Sequence, residues 1–189
     1  MKKLALLVGV VLLFALVATP VFAQEHVDVG VYADYVNLSR INQGFWGIGG
    51  RVGVGLAPHF AVEANMAYDF SQSFSTPNSF GFTNTANLHM LHGTFGPKLY
   101  TDFGPVRVFG VLEGGFIRFS GGPGGSLAGF TGIFQNFNTT STNGVFYPAV
   151  GFELGHHWIG LRAEAGDLIY FSNGAVSNIN VRVGPEFTF

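Results

Sequence analysis

The chain has 189 residues, which suits a single domain, with a formal net charge of −2 and no cysteine. The lack of cysteine excludes disulfides and thiolate metal sites, and the slight acidic excess excludes a basic patch for nucleic acid. Charged residues make up only 11% of the chain, whereas soluble surfaces usually hold ~25–35%. This composition, with 28 glycines and 21 phenylalanines, argues against a freely soluble domain.

The N-terminus has the pattern of a secretory signal peptide. Two lysines are followed by an apolar run over residues 4–18 and by small residues suited to cleavage. A membrane-spanning helix needs ~20 apolar residues, and Pro20 ends this run too early. We therefore predict a signal peptide over residues 1–23 and one domain over residues 24–189.

The rest of the chain contains stretches in which apolar and polar residues alternate, as they do in strands with two different faces. In FAVEANMAYDF, residues 60–70, Val62 and Met66 alternate with Glu63 and Asn65. The stretches are, in chain order, residues 26–36, 45–56, 60–70, 91–100, 105–117, 145–155, 158–170 and 178–189. Each has about ten residues, the length that a tilted strand needs to cross a bilayer.

The predicted connections alternate between short and long. The short ones are residues 57–59, 101–104 and 156–157, and the long ones are residues 37–44, 71–86, 119–144 and 171–177. Short periplasmic turns and long polar outer loops are typical of outer-membrane barrels. The predicted fold is therefore all-β: an eight-stranded antiparallel up-and-down transmembrane β-barrel in the cell outer membrane, with both termini on the periplasmic side.

The polar faces of the predicted strands carry charges of both signs, which favours an enclosed position. An arginine facing lipid near the midplane costs ~2–4 kcal/mol, whereas charges inside a barrel can pair with one another. The predicted lumen charge network consists of Asp28, Arg51, Glu63, Lys98, Arg107, Glu113, Glu153, Arg162, Glu164, Arg182 and Glu186. Asp34 and Asp69 have the same phase. Arg118 and Asp167 have the lipid phase, near the long-loop end, where the cost falls to ~0–1 kcal/mol.

The C-terminal stretch FSNGAVSNINVRVGPEFTF, with Phe187 and Phe189, resembles the β-signal read by the outer-membrane insertion machinery. HHWIGLRAEAGDLIYFSNG followed by NINVRVGPEF is similar to the last hairpin of small OmpA/OmpX-like outer-membrane barrels of the porin-like class. The sequences FGP at 95–97 and GG at 114–115 add to this resemblance. It implies an eight-stranded, pore-less or narrow barrel in a Gram-negative envelope, with outer-membrane lipids and the insertion machinery as partners, and it implies no single activity.

Three prolines, Pro97, Pro148 and Pro185, lie within predicted strands. Because proline lacks the N–H that a strand donates to its neighbour, we predict a bulge or a strand end at each.

The histidines offer few candidates for chemistry. His89 and His92 are three residues apart and so point to opposite faces of a strand, which prevents joint ligation of a metal. His92 and Thr94 share a face, and we expect a hydrogen-bonded lumen pair beside Lys98 rather than a nucleophile and its base. No catalytic residue, cofactor or metal site is predicted, and we expect the protein not to be an enzyme.

The function favoured by these features is an integral outer-membrane barrel with a side-chain-filled lumen, a structural or surface-interaction role, and an extracellular ligand held by the long loops. We expect a monomer. Three alternatives stay open: a narrow channel for porin-like diffusion of small solutes, an outer-membrane lipid-modifying enzyme, and a soluble periplasmic lipocalin-like binder. The last would need an apolar lumen and outward charges.

Overall fold

The computed structural model describes residues 26–77, 83–121, 140–156 and 158–189. The predicted signal peptide and the centres of the two longest predicted loops lie outside these ranges. The described segments are β1 (Val27–Leu38), β2 (Gln43–Ala57), β3 (Phe60–Pro77), β4 (Thr83–Phe103), β5 (Val106–Gly121), β6 (Thr140–His156), β7 (Ile159–Asp167), β8 (Ile169–Phe171), β9 (Ala175–Val176) and β10 (Ile179–Thr188). Within these ranges no helix has the length and apolarity to cross a membrane.

The strands form one closed antiparallel sheet. Neighbours along the chain pair with each other, and β1 closes the ring by pairing with β10, with Ala33 opposite Val183 and Asp34 opposite Arg182. β7 and β8 together form the seventh barrel strand, and β9 and β10 form the eighth. The predicted eight-stranded antiparallel barrel is therefore confirmed.

The seventh barrel strand is interrupted at Leu168, where the sequence predicts an unbroken strand. Asn178, on the returning strand, bridges the gap. The Leu168 N–H donates to the Asn178 carbonyl at 2.8 Å, and Asn178 Nδ2 donates to the Leu168 carbonyl at 2.9 Å. The backbone carbonyl and the side chain of Asn178 thus satisfy both backbone polar groups of Leu168 at the interruption.

Two of the predicted long loops are wrong as loops, because most of their described residues are paired strand. β3 and β4 remain paired as far as Pro77 opposite Thr83, and β5 and β6 pair as far as Ser120 opposite Thr140. These segments contain Thr and Phe, which suit strands even where neither face is apolar. The alternation that marks a membrane-spanning strand is lost in these segments. The strands predicted from the alternation are therefore shorter than the strands in the structure.

The prediction of a bulge or strand end at each proline is also wrong. At Pro97, β4 and β5 pair on both sides in one register, with the intervening pairs missing. Pro148 remains opposite Leu112, and Pro185 remains opposite Leu161. In an antiparallel strand a residue's N–H and C=O face the same neighbour, so a proline interrupts one ladder and spares the other. The register shifts that do occur lie between Gly55 and Ala57 and between Asp69 and Gln72.

The strand faces divide as the alternation predicts. Apolar residues cover the outside, and large ones such as Trp46 and Val150 are 59% and 69% exposed. Charged residues of the opposite phase, including Glu63 and Arg182, are buried in the lumen. The large apolar residues of FAVEANMAYDF point outward, and its polar residues point inward together with Ala61 and Ala67.

Candidate functional site in the barrel interior

The side chains that fill the lumen differ between the two ends of the barrel. We call the end with the β2–β3, β4–β5 and β6–β7 connections the turn end, and the opposite end, where β3–β4 and β5–β6 extend furthest, the hairpin end. The lumen changes in character along this axis. Ion-paired side chains predominate in its turn-end half, where a few buried aromatic and aliphatic side chains lie among them. A small group of polar residues follows, and apolar side chains fill the hairpin end.

Arg162 is the centre of the ion-paired region. Its guanidinium contacts Glu63 through two nitrogens, with Nη2 2.9 Å from Oε2, and Nη2 also lies 2.6 Å from Oε2 of Glu164. Its Nη1 lies 3.3 Å from Glu186 and 3.4 Å from Glu153. These carboxylates come from three further strands besides its own, so one planar cation ties much of the barrel wall together.

Arg182 and Arg51 extend the lattice through Glu164. Arg182 Nη1 lies 3.1 Å and Arg51 Nη1 lies 3.2 Å from the two oxygens of this carboxylate. Both guanidinium groups also lie over aromatic rings, Arg182 4.2 Å from the Tyr147 centroid and Arg51 4.7 Å from that of Tyr32. Aromatic faces in the lumen therefore share the stabilisation of its cations.

The lattice reaches the turn end through Lys98 and Arg107. Lys98 contacts Glu153, and Arg107 bridges Glu153 at 3.3 Å and Asp102 at 2.7 Å. Arg107, Glu153 and Asp102 line a polar cavity of about 180 Å³. Asp28 contacts other partners: its Oδ1 accepts a hydrogen bond from Thr188 at 2.7 Å, and its Oδ2 lies 3.8 Å from His26 Nε2.

The predicted His92–Thr94 pair is wrong as a pair, although both side chains are buried in the lumen. Thr94 donates to Glu113 at 2.6 Å, and Asn65 donates to the other oxygen of Glu113 at 2.7 Å. His92 Nε2 instead lies 3.0 Å from Asp34 Oδ2. The sequence pattern missed these partners because they come from other strands and depend on the register between the strands.

The hairpin end of the lumen is apolar, which the sequence pattern did not predict. Inward-facing side chains from several strands form a buried cluster, which we call the hairpin-end cluster. Its members are the hairpin-end part of the buried apolar residues: Val36, Leu38, Phe45, Leu88, Met90, Ile117, Phe119, Val145, Leu168, Tyr170 and Val176. The buried apolar residues continue towards the turn end through Tyr147, Ala149, Val111, Phe109, Tyr100 and Ala61, and the rings of Tyr147 and Phe109 lie against the ion-paired arginines there. Phe119 and Tyr170 meet edge to face with centroids 5.3 Å apart. Most of these residues lie at or beyond the predicted strand ends, where their phase could not be assigned.

The residues predicted as the insertion signal lie where the barrel closes. Phe187 stacks with Trp158, with centroids 6.3 Å apart, and Phe189 is exposed while its backbone pairs with Val27. Of the two charges assigned to the lipid phase, Arg118 is exposed, whereas Asp167 accepts hydrogen bonds from Ser177 and Asn178.

No known protein family and no curated protein matches the sequence. Solved structures match at the level of shape. A major outer membrane protein of Thermus thermophilus has a TM-score of 0.59 at 14% identity, with 88% of this chain and all of that chain (100%) covered. OprG of Pseudomonas aeruginosa has a TM-score of 0.55 at 12% identity, covering 88% and 96%. Ail, the attachment invasion locus protein of Yersinia pestis, has a TM-score of 0.54 at 12% identity, covering 87% and 97%.

The chain has the fold of a small outer-membrane β-barrel. The predicted resemblance and the predicted outer-membrane location are confirmed at the level of the fold. At these identities the comparisons establish the fold and leave the activity to be argued from the chain's own residues.

Proposed function

We propose that this protein is a non-conducting, non-enzymatic outer-membrane barrel that presents two long hairpins outside the cell. The observation that carries the proposal is the division of the lumen into an ion-paired half and the apolar hairpin-end cluster. An eight-stranded barrel has an interior about wide enough for side chains to fill, and here side chains occupy both halves except for the polar cavity at the turn end.

The hairpin-end cluster argues against the narrow-channel alternative. An ion moving along the lumen would have to leave the charged half and pass apolar side chains. Met90, Ile117 and Phe119 are examples, and they are buried on the faces of their strands that point into the lumen. An apolar constriction excludes ions because it cannot replace their hydration shell. The charged half therefore supports a structural role better than a conducting one.

Two further alternatives lack support in the described residues. A lipid-modifying hydrolase needs a nucleophile beside a base, but His92 and Thr94 hydrogen-bond to different carboxylates. A lipocalin-like binder would place its charges outward, whereas Arg162 and Arg182 are buried and large apolar residues such as Trp46 are exposed.

The two long hairpins are the candidate surface for an extracellular partner. β3 has 18 residues and β4 has 21, against the ~9–11 that span a bilayer, so both continue well beyond it. The stretches 71–86 and 119–144 contain Phe, Ser, Thr, Asn and Gly but no charged residue. We therefore assign an uncharged partner, recognised by aromatic stacking and neutral hydrogen bonds.

This partner chemistry differs from that of one structural neighbour. Ail was crystallised with the heparin analogue sucrose octasulfate, a polyanion. The stretches 71–86 and 119–144 of the present chain contain no cation for such a ligand, and the exposed Arg118 just before the second stretch is a single charge. Arg40, in the β1–β2 connection, already donates to the Ser172 carbonyl at 3.3 Å.

The proposal is tested first by conductance. The purified, folded barrel is added to a planar bilayer, and we expect no discrete steps above background. A trimeric general porin serves as the positive control for insertion. Regular unitary steps from the purified chain would overturn the non-conducting assignment.

The surface role is tested with a variant in which residues 122–139 are replaced by a two-residue Asn-Gly turn, a sequence favoured in tight hairpins. Cells displaying either chain are incubated with a neutral glycan array and with a sulfated polysaccharide. We expect binding to neutral glycans that is insensitive to salt and lost in the shortened variant. Binding to the sulfated probe alone, falling steeply with salt, would contradict the assignment of an uncharged partner.

A further inference from the structure

Three titratable side chains meet at the boundary between the ion-paired region and the hairpin-end cluster. Asp34 on β1, Asp69 on β3 and His92 on β4 are all buried in the lumen. Gly47 on β2 lies opposite both aspartates, and a Cβ at this position would collide with the Asp69 carboxylate. The missing side chain on β2 thus lets groups from β1, β3 and β4 approach one another.

The geometry of the three groups is close. His92 Nε2 lies 3.0 Å from Asp34 Oδ2 and 3.4 Å from Asp69 Oδ2, and one ligand atom from each group falls within 4.8 Å of the others. Imidazole Nε2 carries at most one hydrogen, so it can donate to only one of the two carboxylates.

Asp69 is the group whose environment is incomplete. It is 0% exposed, and apart from the 3.4 Å approach of His92 Nε2 to Oδ2, neither of its carboxylate oxygens accepts a hydrogen bond from the residues that the structure describes. A buried carboxylate without hydrogen bonds is costly, and native structures rarely contain one. A ligand that binds both aspartates and the imidazole at once would satisfy it.

We infer that Asp34, Asp69 and His92 form a binding site for a divalent transition-metal ion. Ligands ~2.1 Å from such an ion, at tetrahedral or octahedral angles, lie ~3.0–3.4 Å from each other. The two distances from His92 Nε2, 3.0 and 3.4 Å, fall within that range. The two carboxylate charges balance a divalent cation, and one imidazole with two carboxylates suits Zn²⁺ or Mn²⁺ better than Ca²⁺, which takes six or more oxygen ligands.

The surroundings of Asp34 hold it in a ligating orientation. Its second oxygen, Oδ1, accepts a hydrogen bond from Asn180 Nδ2 at 2.9 Å and lies 3.4 Å from Arg182 Nε. Outer contacts of this kind orient a ligating carboxylate and leave its other oxygen to the metal. On the hairpin side, Met90 and the rest of the hairpin-end cluster keep bulk water from competing.

The site is tested on the full chain, without a histidine tag, refolded into detergent with a small excess of Zn²⁺ and then separated from free metal by gel filtration. The bound metal is measured by mass spectrometry. We expect about one Zn²⁺ per wild-type barrel and at least a tenfold loss in Asp69→Asn and His92→Ala. The control is His89→Ala, because His89 lies on the same strand, faces outward beside Tyr68, and should leave the metal content unchanged.

A second measurement separates a lost site from a lost fold. Each variant is run on a gel with and without heating, and a shift in migration shows that the barrel has formed. Asp69→Asn preserves the shape of the side chain, so a folded, metal-free Asp69→Asn barrel beside a metal-loaded wild type supports the site. With Co²⁺ in place of Zn²⁺, the wild type should show visible ligand-field absorption that Asp69→Asn lacks. Equal metal content in all folded variants, or none in the wild type, would overturn the inference.

Discussion

Arg162 on β7 and Glu63 on β3 face each other across the lumen and are joined by paired contacts, with Nη2 2.9 Å from Oε2. Each is only 1% exposed, and they are 99 residues apart in the chain. A bidentate pair of this kind fixes the distance between two walls of the barrel that share no ladder hydrogen bond. The lattice around it explains how so many charges remain inside a membrane-spanning structure.

Replacing Arg162 with methionine should strongly destabilise the barrel. The substitution keeps much of the volume but leaves Glu63, Glu164 and Glu186 without their shared cation, and breaking a buried ion pair costs about 3–5 kcal/mol. Urea unfolding in detergent, followed by gel mobility, measures the change. The matched control is Arg118→Met on the exposed outer face, where we expect a change below about 0.5 kcal/mol. Equal effects of the two substitutions would show that the lattice contributes no special stability.

Gly96 should not tolerate a side chain. A Cβ there would lie well inside the van der Waals distance of the Leu112 carbonyl oxygen and 2.8 Å from the Cα of Glu113, so β4 and β5 would have to separate. We expect Gly96→Ala to lower the folded fraction after dilution from urea into detergent. Gly110→Ala is the control, because a Cβ there would meet the Ala149 carbonyl oxygen at 3.8 Å, an ordinary contact. Normal folding of Gly96→Ala would refute the close approach of the two strands.

A charge on the outer face should cost more at the middle of a strand than at its end. Leu112, near the centre of β5, is 56% exposed, and Phe103, at the turn end of β4, is 64% exposed. If the outer face contacts lipid, Leu112→Arg costs ~2–4 kcal/mol and Phe103→Arg ~0–1 kcal/mol. Reversible unfolding from phospholipid vesicles measures both values. Equal costs at the two positions would argue that the exterior faces water.

The hairpin-end cluster should be inaccessible to water-soluble reagents. The natural chain has no cysteine, so single substitutions can be labelled without background. We expect Met90→Cys to react with a charged maleimide far more slowly than Gln43→Cys, because Met90 is buried in the cluster and Gln43 is exposed at the start of β2. Mass spectrometry of the folded, detergent-bound protein follows the labelling. Comparable rates would mean that water reaches the hairpin end of the lumen. They would contradict the proposal that the barrel does not conduct ions.

The sequence alone was sufficient to predict the eight barrel strands where apolar and polar residues alternate, together with the two faces of each. An alternation such as that of FAVEANMAYDF depends only on the two-residue period of a strand. The opposite orientation, with Glu63 facing lipid, is energetically too costly. The same local pattern failed at Pro77 and Ser120, because hairpins outside a bilayer need no apolar face and therefore leave no alternation to detect.

The pairing of charged side chains in the lumen could be determined only from the closed barrel. Asp34, Asp69 and His92 are far apart in the chain, and their meeting depends on the register of four strands and on the space left by Gly47. Pairing across the lumen depends further on ring closure between β1 and β10, which no local stretch encodes. The face of the strand on which a side chain lies depends on its neighbours in the chain and could be predicted from the sequence. The residue that it contacts across the lumen depends on the assembled barrel and required the tertiary structure.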